Sequence, residues 1–306
     1  MKNTHRLFDK RLCSFCMAVL FLFVCMAAGC GDREKAESES AAEPIAVQTG
    51  ETDGSESETL MTETAAETIA ESAAETETET ETETETEEED PLIIVLDPGH
   101  DSEFCTRNQP QLGVNEQDLN LTIGLACYER LSSYKSVKVY LTREDGSCPD
   151  ADEDGVYCIE RRTGIATDLG ADLFVSLHCN ATTGSLGASA NGAEVYVSNY
   201  SAYTEESKKL GEIILDKLED FDIRSNGVIV RTKEEKGHYD DGSVQDWYYL
   251  ISYSVEGGHP GIIIEHAYMD NTHDNAILKD DEKLKAIGEA DADAIAEYYG
   301  LELKKN

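Results

Sequence analysis

Residues 91–306 predict an α/β domain, a three-layer sandwich with a mostly parallel central sheet of about six strands flanked by helices. Three observations predict it. Apolar runs of strand length alternate with longer stretches of helical periodicity. Several of the runs, LIIVL at 92–96, LFVSL at 173–177 and GIII at 261–264, are apolar without alternation, as strands covered on both faces are. His178 and Glu265 follow directly on two of those runs and His100 follows the first by a short turn, at the carboxyl ends where such sheets bind ligands.

The elements follow in order. Leu92 to Leu96 is a strand, and Asp118 to Ser132 is a helix, with Leu119, Ile123, Ala126 with Cys127, and Leu131 on one face and Asp118 near its start. VKVYLT, from Val137 to Thr142, returns as a strand. Glu160 to Leu169 reads as a helix closed by Gly170, Leu173 to Leu177 as a buried strand and Ala193 to Ser198 as another. Tyr203 to Leu218 is a long helix, Tyr248 to Val255 a strand, Gly261 to Glu265 a strand with three consecutive isoleucines, and Glu282 to Tyr299 the closing helix.

Residues 1–30 stand apart from that pattern. Lys2, Arg6, Lys10 and Arg11 precede an apolar run from Cys13 to Ala28 that has the length of an export signal and ends in small residues. Ala27-Ala28-Gly29-Cys30 resembles a bacterial lipobox, which makes Cys30 the candidate for acylation, although Ala27 stands where leucine is usual. The alternative is secretion without an anchor, with Cys13, Cys16 and Cys25 serving as small apolar residues of the signal. Residues 31–90 are nearly devoid of large apolar side chains and condense into a Glu-Thr repeat, so they predict a disordered acidic stalk extended by self-repulsion. The chain carries 63 acidic against 25 basic side chains, a net charge of −38, and the excess is not confined to the stalk. Such a charge argues against nucleic acid as a partner.

The chemistry concentrates at three places. Asp97-Pro98-Gly99-His100 presents an imidazole at a turn after a buried strand, Asn115-Glu116 follows, and a second strand ends in His178. Two histidines and a carboxylate are the ligand set of a catalytic zinc centre that keeps its fourth position open. Taken singly, His100 also fits a solvated turn, His178 a core histidine, and Glu265 a buried carboxylate paired with Arg162 or Arg143. Asp97 fits either a group that orients a ligand histidine or a cap on the turn, and Asn180 fits a residue that fixes its loop.

DPGH at 97–100, NEQDLNLTIG at 115–124, VYLTRE at 139–144, the stretch ERRTGIATDLGADLFVSLHCNA at 160–181, GAEVYVS at 192–198 and PGIIIEHAYMDN at 260–271 occur in the order found in one enzyme family. Residues 92–299 thereby resemble the zinc-dependent N-acetylmuramoyl-L-alanine amidases of the Amidase_3 type. The resemblance implies hydrolysis of the amide between N-acetylmuramic acid and the L-alanine of the peptidoglycan stem. It puts the Zn2+ ligands on His100, Glu116 and His178 and the catalytic glutamate, a general base, on Glu265. Peptidoglycan is then the partner, the protein is exported, and a lipid anchor at Cys30 holds it to the membrane facing the cell wall. A protein activator is compatible with this reading but has no signature in the chain.

Departures from the family pattern are local. Asp101-Ser102 replaces a glycine pair after DPGH, Cys179 stands where alanine is common, and His266 follows Glu265 where an aliphatic residue is frequent. Strand alternation predicts that Cys179 and His266 point away from the site. Cys148 and Cys158 bracket a short acidic loop, and a disulfide between them would staple it, with Cys105 an equal partner for either. Cys127 falls on the apolar face of its helix. Arg231, Lys233, Lys236, Trp247, Tyr248 and Tyr249 predict one wall of a groove without committing any of them to substrate. Two other readings share these features: another zinc peptidase or deacylase on a related fold, with Arg231 holding a terminal carboxylate, and a non-catalytic wall-binding lipoprotein.

Overall fold

Each long strand is built from side chains that alternate between two apolar layers. In the first strand, Ile94 and Leu96 enter one core and Val95 the other, so both faces must be covered by helices. A computed structural model describes residues 90–149 and 158–305. The export signal with Cys30, and the stalk up to residue 89, lie outside the described residues.

The elements are β1 (Leu92–Pro98), the short pair β2 (Asn108–Gln109) and β3 (Val114–Asn115), α1 (Glu116–Leu131), β4 (Val137–Leu141), α2 (Cys158–Leu169), β5 (Leu173–Asn180), β6 (Ala193–Val197), α3 (Thr204–Glu219), β7 (Ser225–Val230), α4 (Tyr249–Glu256), β8 (Gly261–Tyr268), α5 (Thr272–Leu278) and α6 (Asp281–Tyr299). A six-stranded sheet has the order β4-β1-β5-β8-β6-β7. All neighbours in it are parallel except β6 with β8. The three-layer α/β sandwich with a mostly parallel central sheet is therefore the observed architecture.

Helices α1, α3 and α6 cover one face and α2 and α4 the other. The larger core lies under the first group, where Ile123, Cys127, Leu131, Leu210, Ile214, Ile287 and Ile295 meet Ile94, Val175, Ile262 and Ile264. Cys127 is fully buried there, as its helical position predicts. Helices α1 and α6 approach so closely that a Cβ on Gly288 would lie 2.2 Å from the carbonyl oxygen of Ile123. Only glycine permits that approach. Asp280 caps α6 by accepting from the backbone N–H groups of Glu282 and Lys283, and Gly300 ends it in the left-handed region.

Beyond β2, β3 and α5, which the sequence reading lacks, two elements differ from expectation. Tyr248 to Val255, predicted as a strand, is helix α4. Its aromatic and β-branched side chains suit a strand, but packing of Ile251 against Tyr196 and Ile263 overrides that preference. The Ser254 hydroxyl donates to the Leu250 carbonyl within the helix. The sixth strand is instead β7, which the sequence hides: it is a half-buried edge strand carrying Gly227 at φ 96°, and its pairing with β6 shifts register between Ala193 and Val195.

Candidate metal centre

Three parallel strands deliver the candidate residues to one edge of the sheet. Pro98 of β1 pairs with Leu177 of β5, and His178 pairs with Glu265 of β8. His100 follows β1 by a turn in which its own φ is 60°, a left-handed conformation that costs a non-glycine residue free energy and that surrounding structure must impose. Glu116 departs from the expected loop position: it is the first residue of α1, where the helix dipole favours a carboxylate.

The three side chains converge. Glu116 Oε1 lies 3.2 Å from His100 Nε2 and 3.1 Å from His178 Nδ1, and the two imidazoles meet edge to face with centroids 5.0 Å apart. One donor atom from each lies within 4.8 Å of the others. A tetrahedral cation with ligands at about 2.0–2.1 Å places neighbouring ligand atoms about 3.3 Å apart, so both measured separations fit one ion held between these groups. Burial pushes the Glu116 carboxyl up, but the charges of His100 and His178 and the hydrogen bonds they donate outweigh it and hold the group well below the usual carboxylate range. The close packing depends on Gly99, where a Cβ would lie 2.3 Å from the His178 ring.

Glu265 stands beside this cluster and not within it. Its Oε2 is buried without a hydrogen-bond partner. Burial raises its carboxyl to about 8, opposed by the charge of His178 and assisted by Glu116 and Glu194. Neither Arg162 nor Arg143 is its partner. Both arginines are buried and clamp the turn at His100. Arg143 donates to the carbonyls of Pro98 and Gly99, and Arg162 to those of Pro98 and His100. Asn120 adds a second donor to Gly99. Three consecutive carbonyls thus point at fixed cationic or amide donors, which is what over-determines the strained His100 backbone.

Asp97 orients no histidine; it accepts from Arg162, Thr142 and Ser176, each at 2.6 Å. Burial pushes its carboxyl up, but the Arg162 charge and these hydrogen bonds together hold it below the ordinary aspartate value. Asp101, one of the departures from the family pattern, is fully buried and its Oδ1 accepts from the backbone N–H groups of Glu103, Phe104 and Cys105, folding the rim beside His100. Asn180 fixes its own loop, its side chain accepting from the Ala181 N–H. Cys179 points into the large core, as alternation predicts.

His266 also points away from the cluster. It bonds the His178 carbonyl through Nδ1 at 2.9 Å and Asp291 Oδ2 through Nε2 at 2.8 Å, both fully buried. Burial lowers its affinity for a proton, but the Asp291 charge and the two hydrogen bonds outweigh that, and its pKa is raised. A raised histidine stabilises the fold fully below its unfolded pKa, about 6.5, and loses that contribution as pH rises through the folded value. The native protein is therefore expected to lose stability relative to Asp291→Asn as pH rises above about 6.5, read as thermal midpoints; parallel curves would refute it. Asp291→Ala, which leaves a buried imidazolium unpaired, is expected to cost about 3–5 kcal/mol.

Several site residues escaped sequence reasoning. Arg143 and Arg162 have, in the sequence, no signal beyond a pairing with Glu265: Arg162 sits in the polar stretch Glu160-Arg161-Arg162 and Arg143 follows Thr142. Glu194 pairs across the sheet with Glu265 and accepts from the hydroxyls of Tyr196 and Tyr268. Tyr248 packs on Tyr196 at 4.8 Å, which ties the aromatic segment to this side of the site. Arg231 lies over Trp247 at 4.5 Å and Lys233 over the same ring at 4.4 Å.

The thiols of Cys148 and Cys158 lie 3.6 Å apart and are not disulfide-bonded in this structure.

A family profile described as N-acetylmuramoyl-L-alanine amidase, Amidase_3, matches residues 94–297. An endolysin of Bacillus phage SPP1 is 29% identical over 216 residues, covering 69% of this chain and 68% of that protein. The N-acetylmuramoyl-L-alanine amidase LytC of Bacillus subtilis is 28% identical over 67% of this chain and 35% of its own length. Among solved structures, Cwp6 from Clostridium difficile superposes with a TM-score of 0.54 at 27% identity, covering 68% of this chain and 29% of that one. The amidase AmiC2 of Nostoc punctiforme superposes with a TM-score of 0.51 at 26% identity, covering 68% and 97%. The chain thus spans about a third of LytC and less of Cwp6.

Proposed function

This chain belongs to the Amidase_3 family of N-acetylmuramoyl-L-alanine amidases, and from that premise we propose that it is a zinc-dependent hydrolase of the amide between N-acetylmuramic acid and L-alanine in peptidoglycan. The observation that carries the proposal is the convergence of His100, Glu116 and His178 on one ion-sized point beside a buried carboxylate oxygen of Glu265 that has no partner.

In this reading His100, Glu116 and His178 hold the cation. Zinc, when bound there, supplies a Lewis acid that polarises the scissile carbonyl and acidifies water. The remaining work falls to the chain. Glu265 takes a proton from the attacking water at its unpartnered oxygen and returns it to the leaving amine, which departs poorly unless protonated. A carboxyl raised to about 8 by burial lies where a group can both accept and give a proton near neutrality. Glu116, held ionised by two imidazoles, cannot take that role and serves as a ligand. Arg143, Arg162 and Gly99 keep His100 and His178 in place.

The wider chain follows the same proposal. Residues 1–30 export it, Cys30 carries a lipid anchor, and residues 31–90 space the catalytic domain, 91–306, from the membrane toward the wall.

The test is to incubate the purified protein, with its zinc quantified, with peptidoglycan while new L-alanine amino termini and new reducing sugar ends are both counted. Alanine termini without reducing ends are expected, abolished by a chelator and restored by zinc. Stoichiometric zinc with neither product, also after addition of cell-wall extract as a source of activator, would reject the amidase in favour of a binding protein. Activity confined to peptides with a free carboxyl terminus would favour the peptidase reading.

A further inference from the structure

A second group of soft ligands lies outside the site described. Cys148 and Cys158, both buried, approach to 3.6 Å between Sγ atoms, and Cys158 Sγ lies 3.8 Å from Oδ2 of the fully buried Asp101. One donor atom each from Asp101, Cys148 and Cys158 falls within 4.8 Å of the others. Two sulfurs and one carboxylate oxygen therefore come together from three separate segments: the loop after His100, the loop after β4 and the first residue of α2.

We propose that Asp101, Cys148 and Cys158 form a site for a thiophilic divalent cation, zinc by preference. A tetrahedral zinc with Zn–S of about 2.3 Å and Zn–O of about 2.0–2.2 Å has ligand-to-ligand edges of about 3.5–3.8 Å. The measured 3.6 and 3.8 Å fall in that range. Thiolates select zinc over magnesium or calcium. Arg162 Nε lies 3.1 Å from Cys158 Sγ and its Nη2 3.4 Å from Asp101 Oδ2, so a guanidinium offsets the anionic ligands and orients them from outside. Asp101 Oδ1, held by three backbone N–H groups, leaves Oδ2 for the cluster. A Cys148–Cys158 disulfide would need the sulfurs at about 2.05 Å and would leave Asp101 Oδ2 without a thiol to share.

Such a site holds no substrate. It ties the rim after His100 to α2, whose Arg162 clamps the His100 carbonyl, and so stiffens one wall of the metal centre.

The experiment measures zinc per chain on the reduced full-length protein, then replaces zinc by cobalt and records the near-ultraviolet thiolate-to-cobalt charge-transfer band. The native protein is expected to hold two equivalents and to show the band. Cys148→Ser/Cys158→Ser is expected to fall to one equivalent and lose the band, whereas His178→Ala falls to one and keeps it, which separates this site from the histidine centre. Absence of the band in the cobalt-loaded native protein overturns the proposal whether or not the double variant folds. So does a Cys148–Cys158 disulfide found by mass spectrometry that persists after cobalt loading under reducing conditions.

Discussion

Replacement of Glu265 by glutamine is expected to leave zinc content and thermal stability as they are and to lower the hydrolysis of peptidoglycan by about 10²–10⁴-fold, the range for loss of a positioned acid–base group. The substitution keeps volume and shape, so packing at the end of β8 is unchanged. What disappears is the ability of a buried oxygen with no partner to accept and return a proton. Because Glu265 is adjacent to the imidazole and carboxylate cluster and not a member of it, metal retention and turnover separate in this variant. Counting new alanine amino termini against time, alongside zinc per chain, reads both. Turnover within a few-fold of native would remove Glu265 from the mechanism, and loss of zinc would make it a ligand.

His178→Ala has the other large expected effect: one equivalent of zinc and all measurable amidase activity are lost together, while the domain stays folded. The imidazole shares Glu116 Oε1 with His100, so its removal takes away one ligand and one hydrogen bond to a buried carboxylate. The loss of both properties sets it apart from Glu265→Gln, and their pairing is the signature of a ligand. Retention of full zinc content would exclude His178 from the metal centre. Binding of ligand to the native state alone stabilises by about 2.7 kcal/mol at a hundredfold excess over Kd. The variant should therefore show a correspondingly smaller rise in thermal midpoint on zinc addition.

The part of the fold legible in the sequence is the part held by continuous burial. β1, β5 and β8 are covered on both faces, and that demand leaves runs such as Ile262-Ile263-Ile264 that have no other economical reading. His178 and Glu265 are legible for the same reason, since they end two of those runs, and His100 because it follows the third by a Pro-Gly turn. Edge and surface elements carried weaker signals. α4 has the composition of a strand and is a helix because one side of it meets Tyr196 and Ile263, and β7 is broken by Gly227. The clamp by Arg143 and Arg162 was illegible because it joins segments 45 and 62–64 residues apart in the chain. Spacing raised Cys148 and Cys158 as a pair, but Asp101 joins them only through the turn that Asp101 itself folds.

The clamp on the turn at His100 has a consequence in entropy. Ordering one residue's backbone costs about 1–2 kcal/mol. With the carbonyls of Pro98, Gly99 and His100 already bound by arginine and asparagine donors, that cost is met when the chain folds and not when a cation arrives. The centre is thus preorganised: removing its cation leaves an ordered cavity instead of a melted loop, and reloading needs no refolding. A cation site built this way can cycle between empty and filled states without passing through conformations that a protease could cut.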